Sequence, residues 1–312
     1  MRTIAPDPLD RTRPPPAAGR VNFRFPNFRR HILPNRFQVV LAPFGQLPLV
    51  RAHLLLSGGG EHLVAGQDGL SYLLGGLLDE GTETKTSSEI ADLVDGAGGF
   101  LHSGADWESL FISAGVMSHQ IGPTIELVAE VALHATYPAI EVKRLKSRQL
   151  TTQLNMRAQP GVCANEALLS QIYPATCYEC PLVGSSASVK AIDRGDLLRF
   201  AHRHISPVNS TLIVAGDFNP ETMFRQVESL FGEWVGKIPP SAPVLRLPKT
   251  SGISVTVLDR PNATQTELRL GHVGLPRAHR DFYASRVMNS ILGGKFSSRL
   301  NLNLREKHGF TY

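Results

Sequence analysis

Cysteine is scarce, with three residues in 312, too few to build a disulfide framework. Cys177 and Cys180 form a lone C-x-x-C in ATCYECPL. It has no second pair to complete a zinc knuckle and no β-α-β setting for a redox pair, so both read as ordinary loop thiols. A reducing, cytoplasmic compartment fits that usage. Long apolar runs are also missing. No stretch approaches the ~20 residues that cross a bilayer, and the N-terminus lacks the apolar core of a signal peptide. Nothing here points to a membrane, and no run interleaves basic with aromatic residues as nucleic-acid motifs do. Much of the net charge of +5 lies early, in Arg2, Arg11, Arg13, Arg20, Arg24, Arg29, Arg30 and Arg36, and the remainder is close to balanced. Asp7, Asp10 and the run Pro14, Pro15 and Pro16 forbid the acid-poor helix of a mitochondrial presequence. Residues 1–30 therefore read as an extended Arg/Pro-rich strap.

What is present is a large apolar complement, 42% of residues, enough for a chain of this size to bury about three quarters of its unfolded surface. RFQVVLAP and LVRAHLLLSGG predict two strands joined as a hairpin through Gly45. GLSYLLGGLLDEGT predicts an apolar helix with Gly75 and Gly76 at its centre, a pair that sacrifices about 2 kcal/mol of helix propensity. TSSEIADLVDGAG predicts a second helix with Thr86 and Glu89 as a capping box. Two short strands in FLHSGADWESLFISAGV follow, then a series of helices, a strand in STLIVAGD and a helix in NPETMFRQVESLFGEWV. The order is α+β, a mainly antiparallel sheet covered by helices on one face.

Prolines at 239, 240, 243 and 248 mark residues 236–251 as a stiff linker. Beyond it, VTVLDRPNATQTELRLGHVG and SRVMNSILGG repeat the strand, proline-bearing turn, strand and apolar helix of the first domain. The reading is a duplicated domain: a first copy over 31–235, and a second over 252–312 that is truncated, as in a fragment of a longer protein.

Taken in order, LPNRFQVVLAP, DGLSYLLGGLLDEGTETKTSSEIADLVDGAGG, SPVNSTLIVAGDF and ILGGKFSSRLNLNLREKHGFTY resemble the insulinase and mitochondrial processing peptidase family of inverted-motif zinc metallopeptidases. In active members the opening helix carries H-x-x-E-H, two zinc-binding histidines and the glutamate that activates water. On this sequence the motif falls on Tyr72 to Gly76, with Tyr72 and Gly76 at the histidine positions and Gly75 at the glutamate. The third ligand, a glutamate on a later helix, maps to Gln153, or to Thr152 in the other register. A neutral amide is a poor zinc ligand with no thiolate nearby to compensate, so no cofactor is expected in this chain. Small residues at 75 and 76 would allow a neighbouring element to approach closely.

Other histidines do not replace the motif. Glu61 and His62 look like its tail, but Gly58 stands where the first histidine should be. His202 and His204 point to different helix faces, and His102, His119 and His134 are isolated. Each reads as a surface or hydrogen-bonded core histidine. The resemblance further implies a role for Arg305 and Tyr312, seven positions apart in LREKHGFTY. Tyr312 would donate to the oxyanion of the tetrahedral intermediate and Arg305 would hold a substrate carbonyl, both as fixed donors.

Some bacterial family members pair a zinc-bearing chain with a zinc-free one that keeps the Arg/Tyr pair. This sequence is similar to the zinc-free half. The resemblance thus implies a heterodimer in which zinc belongs to a homologous partner subunit. Its substrates would be extended peptides, added as a strand beside His102, Ser103, Gly104 and Ala105. One alternative is a structural or peptide-binding homologue without catalytic role. Another is an independent peptidase with different metal ligands, which metal analysis of the purified chain would detect.

Overall fold

The structure is a computed structural model that describes residues 19, 25–45, 47–64, 66–243 and 252–311. Most of the strap read over 1–30, linker positions 244–251 and Tyr312 lie outside the described residues.

Strands β1 (Arg29–Ile32), β2 (Gln38–Pro43) and β3 (Leu49–Leu56) come first. Helices α1 (Leu70–Leu77) and α2 (Ser87–Gly96) precede the antiparallel pair β4 (Phe100–Ala105) and β5 (Leu110–Met117). Then follow α3 (Ile121–His134), α4 (Ala139–Ala158), α5 (Pro160–Ile172), α6 (Ser186–Ala191) and α7 (Arg194–His204). β6 (Thr211–Gly216) and α8 (Pro220–Phe231) complete the first copy. Local signals account for several boundaries. Thr86 and Glu89 form the expected capping box on α2. Asn219 accepts from the N–H groups of Glu221 and Thr222 at the start of α8, where Pro220 needs no backbone donor.

The six strands form one sheet in the order β1-β2-β6-β3-β5-β4, antiparallel except for the parallel pair β2 and β6. The expected hairpin of β2 with β3 is not formed. β6 lies between them, pairing Val39 with Leu212 on one side and Leu54 with Leu212 on the other. The physical reason is that β6 is apolar on both faces, with Leu212 and Val214 buried and Ile213 and Ala215 half-buried, which suits a central strand. The link from β2 to β3 crosses the end of β6, where Phe44 N–H donates to Gly216 O and Asp217 N–H donates to Leu49 O. Only glycine fits there. Gly216 has φ +134°, and a Cβ on it would lie 2.1 Å from Leu49 O.

Helices cover one face of the sheet. Val39, Leu41, Leu54, Leu56, Leu110, Ile112, Leu212 and Val214 point into the core beneath α1, α3, α7 and α8. Burying each large aliphatic side chain contributes about 1.5–3 kcal/mol. Phe37 and Phe231 stack at 4.6 Å between ring centres and fix α8 to the start of β2. The opposite face carries half-buried Val40, His53, Leu55, Phe111, Ser113 and Ile213.

Beyond the linker the expected strand, turn and strand are not paired. Residues 252–275 run without a ladder among the described residues, and α9 (Phe282–Asn289) follows. Ile253, Val255, Val257, Leu268 and Leu270 alternate as strand residues do, yet all are at least four-fifths exposed. A strand is held by a neighbour's backbone groups, and no described residue supplies them. Arg260 donates to Ala158 O and Arg269 to Asn165 Oδ1, tying the segment to the end of α4 and to the first half of α5.

Candidate functional site

The site resembling a zinc centre is built from α1, β4 and the second half of α4. Gly69 opens α1 with φ +89°, and a Cβ there would meet Gln149 Nε2 at 2.7 Å and Val183 O at 2.8 Å. Gln149 donates to both Gly69 O and Val183 O, so this side chain fixes where α1 begins. Within α1, Leu70, Leu73, Leu74 and Leu77 are buried, while Tyr72 is 39% exposed.

The two central glycines are not equivalent. A Cβ on Gly75 would lie 2.4 Å from the carbonyl carbon of Gly104 and 2.6 Å from Ala105 N, backbone atoms of β4 that have nowhere to move. A Cβ on Gly76 would meet only Leu145 Cδ2, at 3.3 Å. Close approach is therefore a property of Gly75 alone.

Ser103 seals that contact. Its hydroxyl lies 2.6 Å from Gly75 O and 2.7 Å from Asp79 Oδ1. One hydroxyl proton serves one acceptor. The hydroxyl therefore donates to Gly75 O or to Asp79 Oδ1. Burial raises the Asp79 pKa, against the opposing pull of the Ser103 hydroxyl. Next to it, burial also raises Glu80, although Arg144 pairs with it at 2.5 Å.

Gln153 is buried, and its amide is committed. Nε2 donates to Val183 O and Gly184 O, each at 3.0 Å, and Oε1 accepts from Ser186 Oγ at 2.9 Å. Thr152, the other register, is half-buried and returns its hydroxyl to Arg148 O. These residues do not fit zinc. Position 75 has no room for a side chain, and the polar atoms of Gln153 already bond protein groups. No group of three or more His, Cys, Asp or Glu side chains suited to a metal lies together among the described residues.

β4 is an edge strand of the sheet. Along it His102 is exposed, with its ring 5.8 Å from that of Phe111; Ser103 points inward; Gly104 lies over the Phe111 ring; and Ala105 is half-buried. Arg305 sits in a helical turn over Leu302–Lys307, its guanidinium 4.6 Å from the centre of the Phe296 ring and 3.7 Å from Glu306.

The fold also joins two histidines that sequence reading treats apart. His62 and His204 bring their rings to 4.7 Å, and His204 packs on Phe200 at 4.3 Å. His204 is 3% exposed, and its Nδ1 has no hydrogen-bond partner. Burial, then the neighbouring His62 and Arg203, push its pKa down to about 4. Glu61 approaches His62 Nε2 at 3.6 Å and is itself raised by burial and by Glu108 and Asp106. No spacing in the sequence announces this pair, because one ring follows β3 and the other ends α7.

The architecture is that of known peptidase-family structures. The chain aligns with a solved peptidase M16 inactive domain from Pseudomonas fluorescens at TM-score 0.77 and 21% identity, over 92% of this chain and 69% of that one. It aligns with a protease from Helicobacter pylori at TM-score 0.81 and 18% identity, over 91% and 70%. In sequence, residues 191–312 match the family model "Peptidase M16 inactive domain". The uncharacterized zinc protease YmxG of Bacillus subtilis is 25% identical over 284 residues, 91% of this chain and 68% of its own length. A similarly described zinc protease of Mycobacterium leprae is 28% identical, over 78% of this chain and 55% of its own length. The C-terminal part of the chain thus matches a peptidase M16 model, and the chain as a whole is similar to that family, the insulinase and mitochondrial processing peptidase family that its motifs resemble.

Proposed function

We propose that this chain is the non-catalytic, zinc-free subunit of a bacterial, cytoplasmic M16 peptidase heterodimer. Its zinc-bearing partner is a homologous subunit, its substrates are extended peptides, and Arg305 and Tyr312 are its contribution to hydrolysis. The observation that carries the reading is the reuse of the motif positions. Gly75 serves a backbone contact with β4, and Gln153 ties α4 to the loop before α6. A helix reworked in this way supports a role outside metal chemistry. The free edge at His102 to Ala105 suits strand addition by a peptide.

A second reading, a peptide-binding or structural homologue with no catalytic part, is favoured by the placement of Arg305 on Phe296. Co-expression with a zinc-bearing homologue and a peptide-cleavage assay separates the two. Under the heterodimer reading, Tyr312→Phe lowers turnover by about 10²- to 10³-fold, as loss of one oxyanion donor does. Equal activity of wild type and Tyr312→Phe rejects the in-trans role.

A further inference from the structure

Away from β4, a groove of about 420 Å³ runs between α4 and the turn joining α6 to α7. One wall is a single stripe of α4, in which Val142, Lys143, Lys146, Ser147 and Leu150 recur at three- and four-residue spacing. The other wall is Lys190, Ile192, Asp193 and Arg194. Apolar side chains form the floor and four cations the rim.

The charge on that rim is uncompensated. Other cations are paired, among them Arg144 on α4, which bonds Glu80 and Glu141, and Lys85, which bonds Glu130. Among the described residues Lys143, Lys146, Lys190 and Arg194 have no ion pair. Lys146 donates to the carbonyls of Lys190 and Ile192, and Arg194 donates to those of Tyr137 and Thr136. These bonds hold the two side chains in place and leave their charge intact. Asp193, the carboxylate in the lining, is turned to the Asp196 N–H as the cap of α7. The groove is thus a preorganised positive rim over an apolar base.

The geometry points to an acidic segment of a partner polypeptide as the ligand, its carboxylates on the rim and an apolar side chain on the floor. The stripe from Ala139 to Leu150 is about 16 Å long at the helical rise, which spans about five residues of extended chain. Small-molecule sites enclose most of their ligand, whereas this groove has two walls and an open side, a shape that suits a continuous chain.

A fluorescein-labelled peptide of alternating glutamate and leucine, titrated into the 312-residue chain and followed by anisotropy, tests this. Binding is expected near ~50 mM salt and weakens as rising salt shortens the screening length. The K143E/K190E double variant raises Kd at least about tenfold, and K143Q/K190Q raises it less. K237E, remote in sequence from both walls, leaves Kd unchanged. Lys143 and Lys190 are both exposed, and thermal melting checks that the variants fold. No peptide binding by wild type, or equal binding by K143E/K190E, overturns the proposal. Binding of tripolyphosphate without binding of the peptide also overturns it and assigns the groove to a small phosphate ligand. Because β4 is untouched by these variants, loss of peptide capture at the sheet edge leaves this result unaffected.

Discussion

Gly75 and Gly104 meet backbone to backbone, with the position of a missing Cβ on one 2.4 Å from the carbonyl carbon of the other. Helix α1 and edge strand β4 are thereby packed closer than any side chain permits, and the Ser103 hydroxyl bridges the seam.

The two glycines of α1 should respond oppositely to alanine. Gly75→Ala forces α1 off β4 and is expected to lower unfolding free energy by about 2 kcal/mol or more, as overpacking does. Gly76→Ala gains up to about 1 kcal/mol of helix propensity, less the small shift asked of the Leu145 methyl. Urea denaturation of the two single variants checks both. Equal, stabilising effects would show that the close approach is not a constraint.

Gln153→Glu places a carboxylate where the resemblance to active family members would put one, and should damage this protein. The new charge would face the Val183 and Gly184 carbonyls, which now accept hydrogen bonds from the amide. A buried, uncompensated charge typically costs about 3–5 kcal/mol. A depressed melting temperature that zinc does not restore is the expected result, read by calorimetry with and without the metal.

Acid should destabilise the fold through His204. Its folded pKa is depressed to about 4, below the ordinary value near 6.5. The unfolded chain therefore binds the proton first as pH falls. The stability that His204 carries is complete above about 6.5 and is lost towards about 4, a loss of up to about 3 kcal/mol. His204→Phe keeps a ring beside Phe200 and His62 and should flatten the pH dependence of Tm in that window. An unchanged slope would place the acid sensitivity elsewhere.

Asp79 works in the other sense. Burial raises its folded pKa, so the folded state holds the proton longer than the unfolded chain does. Its favourable contribution is present below the unfolded carboxyl pKa and fades as pH rises through the folded value. Asp79→Asn mimics the neutral form, keeps an oxygen to accept from Ser103, and should raise Tm relative to wild type increasingly as pH rises above the ordinary carboxyl value. At about pH 4 the two should melt alike.

Much of the fold is legible from local pattern. The capping box at Thr86, the β4 and β5 alternation and the helices closed by proline each depend on neighbours in sequence. For the site, the sequence suggests a degenerate motif only through the resemblance, which would put Tyr72, Gly75, Gly76 and Gln153, or Thr152 in the other register, at the ligand and base positions. What sequence pattern could not show was pairing over distance. β6 enters between β2 and β3, although the short link through Gly45 suggests a hairpin. The same blindness hid the contact of His62 with His204. For residues 252–275 alternation suggested strands, but alternation describes a face and not a partner.

The place of β6 sets an order of events during synthesis. β2 and β3 emerge early yet cannot bond to each other in the native sheet, since the strand between them begins at Thr211. Until that residue leaves the ribosome, each exposes an apolar, unpaired edge, the kind of surface that invites aggregation and chaperone capture. A nascent chain halted before β6 should remain dependent on a holding factor, and release should coincide with the arrival of one six-residue strand.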